Sequence, residues 1–250
     1  MRATLVTFLG LALFLLGSPS LPAQDDLRGV IDKAIKAHGG QEKIDKHKAG
    51  QVKSKGTVDV NGMTIGYSEE ATYHLPNKFR SLQQLDVNGM NIKVLIGYDG
   101  TKAWINVNGM DVDMMLDKIA DLMKEQAYLS EVTRLTVLKN KDYELSSLGE
   151  SKVQDKPAVG VRVSRKGHKD INLFFDKDSG LLLKFEHRTV DFNTMQEVNE
   201  ERIITEYQDK DGLKEPKKAV VNRDGKKYID VEVVEVKYLD PIDDTQFSKP

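Results

Sequence analysis

Val60-Asn61-Gly62-Met63, Val87-Asn88-Gly89-Met90 and Val107-Asn108-Gly109-Met110 are one phrase written three times, and that phrase decides the fold. Asn-Gly between apolar residues is the strongest short-range mark of a two-residue hairpin turn, because both central positions of a type I′ turn need φ > 0. Asp99-Gly100 adds a turn signal between the second and third copies. The stretch therefore predicts antiparallel strands joined by tight turns. The copies are unevenly spaced, so they recur as turns and not as the period of a solenoid.

The segments between these turns alternate. Val52, Val58 and Val60 share one face of a strand over Val52–Val60. Met63, Ile65, Tyr67, Ala71 and Tyr73 share one over Met63–Tyr73. Pro76 breaks the run before a strand at Phe79–Val87. Met90, Ile92, Val94 and Ile96 align over Met90–Ile96, and Lys102–Val107 carries Trp104, the only tryptophan. One apolar and one polar face per strand is the pattern of an antiparallel sheet that is wet on one side.

A helix follows. Val112, Met115, Leu116, Ile119, Leu122 and Met123 hold the i, i+3, i+4, i+7 spacing, predicting an amphipathic helix over Val112–Gln126, with further helical turns over Tyr128–Leu138. Upstream, Leu27, Val30, Ile31, Ala34 and Ile35 predict a helix over Asp25–His38, capped by Asp25 or Asp26 and ended by Gly39-Gly40, with a short helix at Gln41–His47. His38 and His47 read as helix-end residues. Downstream, strands are expected at Tyr143–Leu148, Ala158–Ser164, Asp170–Phe175, Leu181–Val190, Val198–Tyr207, Lys218–Asn222 and Lys227–Tyr238, separated by Asp-, Gly- and Pro-containing turns. No linker divides the chain, so residues 24–250 are expected to form one domain of α+β class.

Met1–Ala23 reads as a secretory signal peptide: Arg2 as the positive start, Leu5–Leu16 as the apolar middle, and Gly17–Ala23 as the small-residue exit, cleaved after Ala23. A periplasmic or secreted protein is therefore expected. Its net charge is −2, one unit more negative once Arg2 is removed, with both signs interspersed. A nucleic-acid binder normally carries a clustered basic face. With no cysteine, disulfides, thiol nucleophiles and thiolate metal sites are all excluded, and stability must come from the core.

Catalytic signatures are missing. There is no Gly-x-Ser-x-Gly, phosphate loop, Gly-x-Gly-x-x-Gly or His-Glu-x-x-His. Asp176-Lys177-Asp178-Ser179-Gly180 opens like a calcium loop but has His187 at the twelfth place, so it reads as a hairpin turn. Glu69-Glu70 and Glu200-Glu201 are neighbours in strands and point to opposite faces, which denies them the role of a carboxylate pair. His74, His168 and His187 fall in separate segments. No metal or cofactor is expected, and no enzyme. Six of the seven methionines after Met1 lie between Met63 and Met123. Methionine is flexible and polarizable and suits surfaces that accept varied apolar partners. With a one-sided sheet and an amphipathic helix, this predicts an adaptable apolar cleft lined by Met63, Ile65, Tyr67, Met90, Ile92, Trp104, Met115, Ile119 and Leu122.

A set of phrases in a fixed order adds to this. They are Ala34-Ile35-Lys36-Ala37-His38-Gly39-Gly40, Tyr73-His74-Leu75-Pro76-Asn77-Lys78-Phe79-Arg80, Tyr98-Asp99-Gly100-Thr101-Lys102-Ala103-Trp104, Phe174–Leu182, Asp211-Gly212-Leu213-Lys214-Glu215-Pro216 and Phe247-Ser248-Lys249-Pro250. In that order the chain resembles the LolA/LolB-like superfamily of outer-membrane lipoprotein-sorting proteins, over most of its length after the leader. The resemblance implies a strongly curved antiparallel half-barrel whose concave apolar face is covered by helices and holds acyl chains in transit between membranes. It also implies a lid-locking arginine, for which Arg80 is the candidate. The partner implied is a lipid or another hydrophobic ligand, with transient membrane or membrane-protein contact. A regulatory module of the same fold that binds a protein is the alternative.

Overall fold

The computed structural model describes residues 24–250 apart from positions 61, 114, 192, 193, 240 and 250. The leader expected at Met1–Ala23 lies outside them. Two helices come first, α1 (Gln24–Ala37) and α2 (Gln41–Lys46). The first meander follows: β1 (Ala49–Val60), β2 (Met63–His74), β3 (Lys78–Val87), β4 (Met90–Tyr98), β5 (Ala103–Val107) and the two-residue β6 (Met110–Asp111). Helix α3 (Leu116–Thr133) and a 3-10 turn at Thr136–Lys139 lead to the second: β7 (Glu144–Val153), β8 (Lys156–Ser164), β9 (Ile171–Asp176), β10 (Leu182–Val190), β11 (Glu197–Lys210), β12 (Leu213–Arg223) and β13 (Lys226–Tyr238). A 3-10 turn at Asp244–Phe247 is the last element.

These thirteen strands form one antiparallel sheet, open and curved, in the order β6-β5-β4-β3-β2-β1-β13-β12-β11-β10-β9-β8-β7. The hairpin turns are those the repeats predict: Asn88 and Gly89 have φ of 54° and 81°, Asn108 and Gly109 have 51° and 86°. Asp59 and Asp86 accept the backbone N–H of Gly62 and Gly89, which fixes two of these turns from the side-chain end.

Helix α3 differs from expectation at both ends. It starts at Leu116, because Val112 still donates its N–H to the Ile105 carbonyl at the sheet edge and Met115 turns the chain with φ 60°. It then runs unbroken to Thr133, where Leu135 (φ 72°) ends helical geometry. Strand β12 starts five residues before the expected Lys218 and includes Pro216, which sits next to a register shift where its missing N–H does not break the ladder. Helix α1 includes Asp25 and Asp26 in its first turn instead of starting after them.

The helices lie on the concave face. Helix α1 and the C-terminal half of α3 pack on β7–β11 in one continuous core that includes Ile31, Val132, Leu135, Leu138, Val161, Val163, Leu173 and Phe175, all sealed from water. The N-terminal half of α3 packs on β4 and β5 through a smaller core: Ile119 against Tyr98, Ala103 and Ile105. The outer face carries the chain's last segment. The Trp104 indole N–H donates to the Phe247 carbonyl at 2.9 Å, and Asp244 accepts from Lys78 and pairs with His74. Gly97 lies opposite Trp104 in the ladder, where a Cβ would sit 2.1 Å from the indole ring, so only glycine admits the tryptophan there.

Candidate functional site: a cavity under the helical cover

Strand parity sorts the side chains. Tyr67 pairs with Leu85 and Leu85 with Ile92; Val58 pairs with Ile65, Val60 with Met63 and Val87 with Met90. Cross-strand partners share a face, and Val94, on the same face of β4 as Ile92, packs against the core under α3. Met63, Ile65, Tyr67, Met90 and Ile92 are thus brought together on the concave side. Ile119 is buried beneath α3, Leu122 is half-buried on the same helix, and Met115 precedes it, partly exposed. Trp104 is on the opposite face, beneath Phe247. Arg80 pairs with Gly97, on that same outer face, and does not reach the helices from there.

A cavity of about 370 Å³ opens on the concave face. That volume lies within the range of roughly 300–1,000 Å³ typical of small-molecule sites. Its floor is built from Val52, Phe79, Phe185, Ala219, Val231 and Val233, and its roof from Ile44 of α2 and the end of α3, Ser130 to Leu135. It lies beside the C-terminal half of α3, and the N-terminal half packs directly on the sheet through Leu116, Ile119, Ala120 and Met123. None of the nine residues singled out by sequence lines it. Met63, Ile65, Tyr67, Met90 and Ile92 occupy the neighbouring concave wall, Ile119 and Leu122 the helix above it, Met115 the residue before that helix, and Trp104 the outer face. The cavity's floor depends on β1 lying beside β13, a pairing between the two meanders that no local pattern announces. The alternation of Val231 and Val233 within Lys226–Tyr238 was the available signal.

Polar groups around the cavity are mostly satisfied. Arg134, at the end of α3, donates to the Ile44 carbonyl and to the His47 carbonyl at 2.6 Å, fastening α3 to α2. Burial pushes the Tyr73 hydroxyl upward in pKa, and the adjacent Arg134 opposes this. His38 Nδ1 lies 2.8 Å from the Ala34 carbonyl, which makes Nδ1 the protonated nitrogen, and Nε2 faces the Tyr207 hydroxyl at 3.3 Å. Burial holds His38 below the usual imidazole range, with the Ala34 hydrogen bond pulling the other way. Tyr207 donates to the Leu182 carbonyl at 2.6 Å, and burial raises its pKa strongly. Farther along the concave wall, Glu69 accepts from the buried Ser81 at 2.5 Å and from Gln83 at 3.1 Å. The Tyr67 hydroxyl is pushed up to about 12, first by burial and then by Glu69.

Two larger clefts, about 730 and 690 Å³, lie chiefly on the outer face. One is walled by Lys55, Gln84, Asp86 and Glu232, the other by Arg162, Glu186 and Glu201. Their charged linings and open shape make them solvated grooves, so the smaller concave cavity is the better place for an apolar ligand. Glu69 and Glu70 face opposite sides, as do Glu200, held by Arg223, and Glu201, held by Lys184 and Asn222. His74 pairs with Asp244 and His168 with Glu125, in separate places. No group of three or more His, Asp or Glu that could hold a metal ion occurs among the described residues. No helix among them is long and apolar enough to cross a membrane.

No family model matches this sequence, and no curated protein matches it. Solved structures do. A LolA superfamily protein from Nitrosomonas europaea superposes with a TM-score of 0.54 at 11% identity, covering 89% of this chain and 97% of that one. A DUF1329 family protein from Desulfovibrio piger superposes with a TM-score of 0.52 at 15% identity, covering 88% and 96%. At such identities the likeness is one of architecture. The single curved sheet, the helices over its concave side and these two superpositions give this chain a LolA-like half-barrel fold.

Proposed function

We propose that this protein is a non-enzymatic carrier that holds a lipid acyl chain, or a comparable hydrophobic ligand, between its sheet and its helices. The observation that carries the reading is the cavity of about 370 Å³ with an apolar floor under a helical roof. Burying one acyl chain of a dozen carbons supplies roughly 10 kcal/mol before ordering costs, at about 0.8 kcal/mol per methylene. The leader reading of Met1–Ala23 places the carrier in the periplasm or outside the cell. The resemblance in sequence phrases supports the same class of cargo.

In this reading the tail sits in the cavity, and Ile65, Tyr67 and Ile92 continue the wall toward the hairpin rim. Met63 and Met90 stand on that rim, Ile119 and Leu122 belong to the helix that covers the path, and Met115 immediately precedes it. Native mass spectrometry of the purified protein, before and after solvent extraction, tests this. Co-purifying lipid, or saturable uptake of an added fatty acid by the extracted protein, is the expected result. Neither being found refutes the carrier.

One observation favours a second reading. Met63, Met90 and Met110 are 53%, 64% and 69% exposed, each next to one of the three repeated turns on the same end of the sheet. A rim of exposed methionines suits a protein partner. Cross-linking from cysteines placed at these positions, in cell extract, is expected to give a discrete adduct if a partner docks there.

A further inference from the structure

We infer that the ligand is an amphiphile with an anionic head, and that Arg202 of β11 receives that head. The inference rests on the carrier reading and specifies the chemistry of its cargo. Arg202 lines the cavity, between Phe185 of β10 and Val221 of β12 in the ladder. Its guanidinium lies 5.6 Å from the centre of the Phe185 ring. Its Nε is shut from solvent and has no hydrogen-bond partner among the described residues. The residue as a whole is part-exposed, so only this edge of the guanidinium is dry. A donor shut off from water without a partner is disfavoured, and a ligand that supplies an acceptor there relieves that cost.

The carboxylates around it are already engaged. Glu200, on the same face of the same strand, accepts from Arg223 at 2.9 Å. Glu201 accepts from Asn222 at 2.7 Å on the other face. Glu69 is held by Ser81 and Gln83, and Glu215 accepts from the Tyr238 hydroxyl at 2.6 Å. The other cations at the cavity are matched as well: Arg134 by two carbonyls, Lys214 by Asp209, and Lys217 and Lys218 by Glu206. Among the described residues Arg202 makes no ion pair. It is therefore the one cavity cation there with neither an ion pair nor a hydrogen bond, set in an apolar wall. That combination fits an alkyl tail along Val231, Val233 and Val52, ending in a carboxylate or phosphate that takes a forked hydrogen bond from the guanidinium.

The test compares probes of one chain length, dodecanoate, dodecanol and dodecylammonium, with acetate as the head alone, by calorimetric titration of the extracted protein. Dodecanoate is expected to bind at least about tenfold more tightly than dodecanol, as hydrogen bonds to a charged group allow. Dodecylammonium is expected to bind more weakly than either, and acetate alone not measurably. Arg202→Met is expected to erase the preference for dodecanoate while leaving dodecanol within about twofold, and Arg202→Lys to keep part of it. Equal binding of dodecanoate and dodecanol to the unaltered protein overturns the inference but leaves the carrier standing. Binding of acetate as tight as dodecanoate overturns it too, because the tail then contributes nothing. If no chain binds at all, both fall. The comparison within the unaltered protein decides the matter even if Arg202→Met fails to fold.

Discussion

The two limbs of the half-barrel are built from the same kind of strand and hold themselves together differently. Over β7–β11 the concave face is filled: Val161, Val163, Leu173 and Phe175 meet Ile31, Val132 and Leu138, all fully buried. Over β1–β6 the cover is thin. Ile119 closes a small core on Tyr98 and Ile105, and the hairpin rim beyond it shows its methionines to solvent. The cavity lies between the two regimes, where strands from both limbs meet. A ligand site is a place where the protein's own side chains stop filling the interior. Here strands of both limbs supply the unfilled surface, Val52 and Phe79 from one and Phe185, Ala219, Val231 and Val233 from the other.

The sharpest way to break this comparison is truncation in each core. Phe175→Ala is expected to cost about 3–5 kcal/mol, since it opens a void in a fully packed layer. Ile119→Ala is expected to cost about 2 kcal/mol, at the low end for such a change, because its surroundings are only partly buried and can relax. Denaturant unfolding monitored by circular dichroism checks both. If Ile119→Ala proves as costly as Phe175→Ala, the limbs do not differ in the way described.

Next comes the clasp between α3 and α2. Arg134→Met leaves the Ile44 and His47 carbonyls without their donor and is expected to cost about 1–2 kcal/mol. Hydrogen exchange in residues 41–47 is expected to quicken more than in β9. Uniform quickening throughout the sheet would mean that Arg134 supports the whole fold and not the roof alone.

Acid sharpens the comparison from the other side. Burial holds both His38 and His187 below the ordinary imidazole range, so the folded protein keeps them neutral. The unfolded chain takes up these protons near pH 6.5. Stability is therefore complete above that pH and declines as the pH falls through about 6.5 toward the lowered folded values. Both residues belong to the side of the cavity nearer the filled limb. Unfolding midpoints at about pH 7.5 and pH 5.5 are expected to differ in that direction. The difference is expected to shrink in a His38→Asn, His187→Gln double variant.

The smallest expected effect is at the rim. Replacing Met63, Met90 and Met110 together with Gln is expected to change stability by no more than about 0.5 kcal/mol, since these side chains touch water already. Transfer of a fluorescent fatty acid to vesicles is the measurement that shows whether they matter. An unchanged transfer rate would leave the rim without a role in release.

Much of the fold was legible because its signals are local. Asn-Gly needs left-handed backbone, so the turns declared themselves, and strand parity put Met63, Ile65, Tyr67, Met90 and Ile92 on one side. The site was less legible because burial depends on what a strand's neighbour is. Trp104 continues an apolar run in sequence, yet its parity sets it on the outer face, where Gly97 leaves it room. Methionine richness pointed to the exposed rim, whereas the cavity is floored by valines, Phe79 and Phe185 from strands far apart in the chain. Arg202 gave no signal at all in a charged segment such as Glu200-Glu201-Arg202, where only the packed neighbours reveal that one of the three has no counter-ion.

The adjacency of β1 and β13 in the middle of the sheet has a consequence for assembly. The first and last strands of the chain form the seam, while both outer edges come from mid-chain. Each meander can zip up by itself through short hairpins, but the two plates are stitched to one another only when the final strand arrives. Closing that seam carries the longest loop in the molecule and is the natural slow step. The hollow that would hold cargo straddles the seam, so a chain with unstitched plates has nowhere to put a ligand, and binding competence is the last property the folding chain acquires.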